Sequence, residues 1–124
     1  MKCMILSLLL FFCNAANAQD TTITRIEETF IGGDASWRNF IQQNIDNSVP
    51  GKNKAPIGNY LVEVGFFIDT TGKLIDLKPI THKGYGMEAE VIRLLKRSPK
   101  WSPARLNGRP VRTYRTQQVL FSVQ

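Results

Sequence analysis

From Tyr60 to Asp69 the chain alternates as a half-buried β-strand does. Tyr60, Val62, Val64, Phe66 and Ile68 fall on one face, and Glu63, Gly65 and Asp69 fall on the other beside Leu61 and Phe67. Thr70-Thr71-Gly72 follows directly, a short polar connection with glycine where a positive φ is needed. The strand therefore returns as an antiparallel hairpin through Leu74 to Thr81. Pro79 cannot donate to a ladder, so the returning strand sits at an edge or carries a bulge. A hairpin this apolar on one face folds only if the rest of the chain covers that face.

Two amphipathic segments can cover it. Gly32-Gly33 precedes Asp34, which predicts a capped helix with Trp37, Phe40, Ile41 and Ile45 on one side. A second helix follows Gly86, with Met87, Val91, Leu94 and Leu95 as its apolar face, helped by Ile92. Glu88 and Glu90 stand near its positive end and Arg93, Lys96 and Arg97 near its negative end, with Pro99 beyond. Asn47 to Asn59, with Pro50, Gly51, Pro56 and Gly58, reads as a loop. Ser98 to Pro110 reads as a turn-rich connector that holds Trp101 between two prolines and ends in the turn dipeptide Asn107-Gly108. The last strand spans Val111 to Val123, with Val119, Phe121 and Val123 inward. The expected fold is α+β, in the order α-β-β-α-β: a three-stranded antiparallel sheet with two helices packed on one face.

Ahead of this domain, Met1 to Ala18 has Lys2, an apolar run from Met4 to Cys13, and small residues at Ala16 and Ala18. That is the pattern of a cleavable secretory signal, with cleavage before Gln19. Asn14 and Asn17 stop the run short of the ~20 apolar residues that a spanning helix needs. The expected location is the periplasm, or the inner membrane if the signal is retained. Residues 19–30 read as a polar leader in which Ile26 and Phe30 are the side chains able to dock, and 31–124 as the domain. Both cysteines, Cys3 and Cys13, lie in the signal. The exported domain then has no disulfide and no thiol nucleophile, and packing alone holds it together.

The charge is uneven. No acidic residue follows Glu90, whereas Arg93, Lys96, Arg97, Lys100, Arg105, Arg109, Arg112 and Arg115 do. Export argues against nucleic acid as a partner and leaves acidic protein surfaces, anionic lipid, or a cell-wall polymer such as peptidoglycan. Catalytic groups are few. His82, the one histidine, has no nucleophile elbow around Ser36, Ser48, Ser98 or Ser102 to serve, and reads as a surface loop residue. An enzyme built on His82 and a nearby acid is the weakest reading. No metal and no cofactor is expected: zinc lacks its His and Cys ligands, and Asp69 and Asp76 do not form a calcium loop. Gly84-Tyr85-Gly86 reads as a turn into a helix, because it lacks the length and lysine of a phosphate loop. Glu88 and Glu90, two apart on a helix, read as separate surface charges. Trp37 and Trp101 read as core.

The polar half of the last strand is less ordinary. Arg112, Tyr114, Arg115, Thr116, Gln117 and Gln118 precede its apolar half. A terminal strand at a sheet edge offers unpaired N–H and C=O groups to an extended peptide.

Ser98-Pro99-Lys100-Trp101-Ser102-Pro103-Ala104 with Asn107-Gly108-Arg109-Pro110-Val111 resembles the motif of TonB C-terminal domains. Asp69-Thr70-Thr71-Gly72-Lys73-Leu74-Ile75-Asp76 resembles that family's hairpin, Gly84-Tyr85-Gly86-Met87-Glu88 the start of its second helix, and Trp37-Arg38-Asn39-Phe40-Ile41 its first helix. The likeness runs from Phe30 onward. It implies a non-catalytic module that pairs its last strand with the TonB box, an extended segment of an outer-membrane TonB-dependent receptor. Arg112, Tyr114, Thr116 and Gln118 are then the candidate contacts. The chain departs from the family in having Asn47-Ser48-Val49-Pro50 where many relatives have Tyr-Pro, and Gln118 where many have proline. Gln118 restores a backbone donor, which favours a homodimer by strand exchange as readily as receptor binding. The alternative remains a structural module that binds cell wall or another anionic polymer.

Overall fold

The computed structural model describes residues 22–124. The expected secretory signal lies outside the described residues. A short strand β1 (Arg25–Ile26) is followed by helices α1 (Gly33–Asn44) and α2 (Val49–Lys52), then strands β2 (Gly58–Ile68) and β3 (Leu74–Pro79). Helix α3 (Met87–Lys96) and strands β4 (Ala104–Leu106), β5 (Arg109–Val111) and β6 (Thr113–Val123) complete the domain.

The expected three-stranded antiparallel sheet is present in the order β3-β2-β6. Strands β2 and β6 pair without interruption from Gly58↔Val123 to Ile68↔Thr113. The inward face of β2 is the one its alternation predicts: Val62, Val64, Phe66 and Ile68 are fully buried. They meet Met87, Val91, Leu94 and Leu95 of α3, Val119 and Phe121 of β6, and Trp37 and Ile41 of α1 in one core. The hairpin turn also forms as expected. Asp69 Oδ1 accepts from the N–H groups of Thr71 and Lys73, and Gly72 takes φ +92°. A Cβ on Gly72 would run into the carbonyl of Trp101, whose own N–H donates to the Gly72 carbonyl at 2.8 Å. The turn and the Trp101 connector are thereby fastened backbone to backbone.

Several local details differ from the sequence expectations. Asp34 lies inside the first turn of α1, and the cap position belongs to Gly32, at φ 88° with no side-chain cap. The stretch read as loop contains α2, which begins next to Pro50, because the first turn of a helix needs no N–H from its proline. The last strand is two strands. Arg109–Val111 closes a hairpin on Ala104–Leu106 through Asn107 (φ 52°) and Gly108 (φ 82°), the pair of positive φ values that a two-residue hairpin turn demands. This hairpin and β1 make a second small sheet, β1-β4-β5, invisible in strands too short to alternate.

The segment before α1 is part of this architecture. Thr29 and Ser102 exchange both backbone hydrogen bonds, at 3.0 and 2.8 Å. Phe30 enters the core against Trp37 and Trp101, whose rings lie 4.7 Å apart edge to face. Ile26 stays exposed. Both tryptophans are core residues, each 3% exposed. Among the described residues no helix is long and apolar enough to cross a membrane.

Candidate strand-addition site

A three-stranded sheet has two edges, and here they are unlike. On β3 the ladder slips between Gly65 and Phe67, Asp76 takes φ 55°, and Pro79 removes a donor. Bulge, positive φ and proline are the devices that stop another strand from joining. The opposite edge, β6, is eleven residues long and regular, and among the described residues nothing pairs with its outer side.

The backbone groups that face outward follow from β2. Glu63 turns both of its groups toward β3: its carbonyl accepts from Ile80 N–H at 2.9 Å and its N–H donates to Thr81 Oγ1 at 2.9 Å. Asp69 likewise donates to the Lys73 carbonyl. Odd-numbered residues of β2 therefore face β3, and even-numbered ones face β6. The register sets Val62, Val64, Phe66 and Ile68 opposite Val119, Gln117, Arg115 and Thr113. The odd-numbered residues of β6 are thus consumed by the ladder. Tyr114, Thr116, Gln118, Leu120 and Ser122 present their N–H and C=O to the open side.

Three of the four candidate contacts, Tyr114, Thr116 and Gln118, have this outward backbone; their side chains lie on the sheet face away from the helices. Arg112 precedes β6 and is drawn across the sheet. Its Nη2 is 2.8 Å from Asp76 Oδ2 on β3, and its guanidinium lies 4.0 Å from the Phe67 ring centre. Tyr114 leans over Gly65, where a Cβ would collide with its hydroxyl, and packs edge-on to Phe67 at 5.0 Å. Thr116 and Gln118 are the two whose side chains remain by the edge.

Alongside this edge runs a groove of about 340 Å³ between α1 and β6. Ile41, Ile45 and Val119 form its apolar part, and Arg38, Gln42, Asn47, Gln117 and Gln118 its polar rim. A strand added to β6 would send alternate side chains into it. Its cation is Arg38, with no carboxylate in the lining. Gln117 was not among the predicted contacts. Its signal was parity: two residues before Val119, it has to leave the sheet on the helix side.

One end of the groove is fixed by a buried carboxylate. Glu90, 6% exposed, accepts from the Asp46 N–H at 2.7 Å and from Arg93 Nε and Nη2 at 2.8 and 2.6 Å. Arg93 Nη2 also donates to the carbonyl of Asn44, an otherwise orphaned acceptor at the end of α1. The turn that carries Ile45 and Asn47 is held from both sides. Glu88, 8% exposed, does the same for the β3–α3 connection, accepting from Thr81 Oγ1, Lys83 N–H and Gly84 N–H. The expectation that both were surface charges is therefore corrected. They do lie apart, but each is buried because backbone donors from another segment converge on it. His82 is exposed, as expected.

These two carboxylates predict acid sensitivity. Arg93 beside Glu90 holds that carboxyl below the usual carboxylate range, against the effect of burial. Burial pushes Glu88 up, but the Lys83 and Gly84 amides and the Thr81 hydroxyl together bring it below its ordinary value. A depressed folded value contributes stability that is complete above the unfolded carboxylate range, near pH 4.5. That stability is lost as pH falls through the folded values. Thermal unfolding from pH 6 to pH 2.5 should show Tm falling below about pH 4.5, with a shallower fall in Glu88→Gln. An equal slope in the variant would refute the assignment.

Among the described residues no three His, Cys, Asp or Glu side chains gather into a set that could hold a metal ion. The family described as Gram-negative bacterial TonB protein C-terminal matches residues 61–123, from β2 to the end of β6. The chain belongs to this family. No curated protein and no solved structure was found to match it. Membership makes the chain a TonB-like periplasmic protein-interaction module, and the family is non-catalytic. β6, α3 and all of β2 but its first three residues fall inside the matched residues, whereas α1, α2 and the segment before them precede the match.

Proposed function

We propose that this TonB C-terminal domain binds an extended segment of an outer-membrane TonB-dependent receptor, the TonB box, as a fourth strand beside β6. The single observation that carries the reading is the long regular edge of β6, with outward-facing backbone groups from Tyr114 to Ser122, opposite an edge of β3 that is broken by bulge and proline. Backbone pairing supplies the affinity of such strand addition, and pockets for alternate side chains supply its selectivity. The groove under α1 is such a pocket. Its apolar floor and its cation, Arg38, suit a segment that alternates apolar with neutral or acidic residues. Export by a cleaved N-terminal signal brings the domain to the compartment where receptor segments are reachable.

Titration of the labelled protein with synthetic TonB-box peptides, followed by amide resonances, tests the proposal. Thr116, Gln118 and Leu120 should shift most, because their N–H groups pass from water to a partner carbonyl, while β3 stays unaffected. No shift at millimolar peptide, with the fold intact, would refute the reading. Salt-sensitive sedimentation with cell-wall sacculi in place of peptide binding would transfer it to an anionic polymer.

A further inference from the structure

We propose that Gln117 is a latch on the open edge of β6, held shut by Trp37, which an incoming strand has to displace. The inference rests on β6 being the edge to which a strand adds. The side chain of Gln117 leaves the sheet on the helix side, yet its carboxamide comes round to the edge. Oε1 accepts from Trp37 Nε1 at 2.7 Å, and Nε2 donates to the Gln118 carbonyl at 2.8 Å. That carbonyl is one of the outward-facing acceptors. A strand paired with β6 brings its own N–H to the same oxygen. Gln117 and Gln118 both line the groove in which the strand's inward side chains would lie. A carbonyl has a second lone pair, but the carboxamide also fills space the strand would take, so the amide swings out as the strand seats.

Trp37 closes the latch again. It is 3% exposed, and Gln117 is the acceptor its indole N–H has among the described residues. Opening strands a buried donor, which favours the closed arrangement whenever no strand is bound. The edge thereby discriminates. A segment that makes a full run of pairs overcomes the latch, whereas a weakly pairing strand does not. A polar side chain at this inward position of β6 is thus accounted for.

Two variants separate the latch from a plain contact. Gln117→Met keeps the length and loses both hydrogen bonds, and Gln117→Glu keeps the acceptor for Trp37 but has no donor for Gln118. With a synthetic TonB-box peptide as probe and the full chain throughout, Gln117→Met should bind about tenfold tighter than the parent, the effect of one hydrogen bond no longer broken on binding, whereas Gln117→Glu, still held by Trp37, should bind no tighter. The carbonyl ¹³C resonance of Gln118 should move in both free variants. The indole proton of Trp37 should move in Gln117→Met only. Unchanged or weaker binding by Gln117→Met overturns the proposal by making Gln117 a bystander or a direct contact, and an unresponsive Gln118 carbonyl overturns it by showing that the latch does not form. If those resonances respond but neither parent nor variants bind, the strand-addition reading has failed and takes the latch's role with it.

Discussion

Replacing Trp101 with alanine is expected to lower the unfolding free energy by about 3–5 kcal/mol, the range for removing a large buried aromatic ring. For a domain whose total stability is on the order of 5–15 kcal/mol, that removes between about a fifth and all of it. The position gathers more than one dependency. The Trp101 ring meets Trp37 at 4.7 Å and Phe30 at 5.6 Å, and Arg115 places its guanidinium 4.7 Å from it while reaching Glu28 at 3.3 Å. The Trp101 backbone fastens the β2–β3 turn through Gly72, and Ser102 beside it pairs with Thr29. Losing the ring therefore loosens the aromatic cluster and the segment from Thr24 to Phe30 together. Denaturant unfolding followed by far-ultraviolet circular dichroism reads the loss. Trp101→Phe, which keeps most of the apolar surface, should cost less than half as much. Equal costs for the two variants would show that the ring's size is not what matters.

The contribution of Phe30 shows where reading by periodicity stops. In β2 every second residue is apolar, and the five predicted inward positions are inward. In β6 only Val119, Phe121 and Val123 announce the inward face, because the inward positions before them are Thr113, Arg115 and Gln117. The partners of Arg115 are Trp101 and Glu28 and that of Gln117 is Trp37, all from distant parts of the chain. A polar residue satisfied across the fold has no signal in its own neighbourhood. The same reason hides Glu88 and Glu90. A carboxylate in the first turn of a helix is expected in water, and only the folded chain brings the amides of Lys83, Gly84 and Asp46 to it. The small sheet β1-β4-β5 escaped for a simpler reason, since strands of two or three residues carry no period. Its hairpin was legible through Asn107-Gly108 alone. The open edge was legible as a strand, but which of its residues face outward became decidable only from the bonds of Glu63 to Ile80 and Thr81 on the far side of β2.

That parity gives the second large effect. Proline at Val119 should unfold the domain or cost it about 3 kcal/mol or more, whereas proline at Gln118, one residue away, should leave stability within about 1 kcal/mol of the parent. Val119 stands opposite Val62 and turns its N–H into the ladder. Proline there deletes a donor, leaves a buried carbonyl on β2 without its partner and exchanges a packed valine for a ring fixed near φ −65°. Gln118 directs its N–H to the open side, so the donor that proline removes serves nothing in the free protein. It would serve an added strand. Gln118→Pro should therefore fold, keep its resonances on β2 and β3, and yet bind a TonB-box peptide several-fold more weakly than the parent. Urea denaturation of both variants and a peptide titration of the folded one decide the matter. If Gln118→Pro unfolds while Val119→Pro survives, the ladder has the opposite parity and the open edge belongs to the odd-numbered residues. If both fold but Gln118→Pro binds undiminished, the partner does not pair through the backbone at that point, and the edge of β6 is not where recognition occurs.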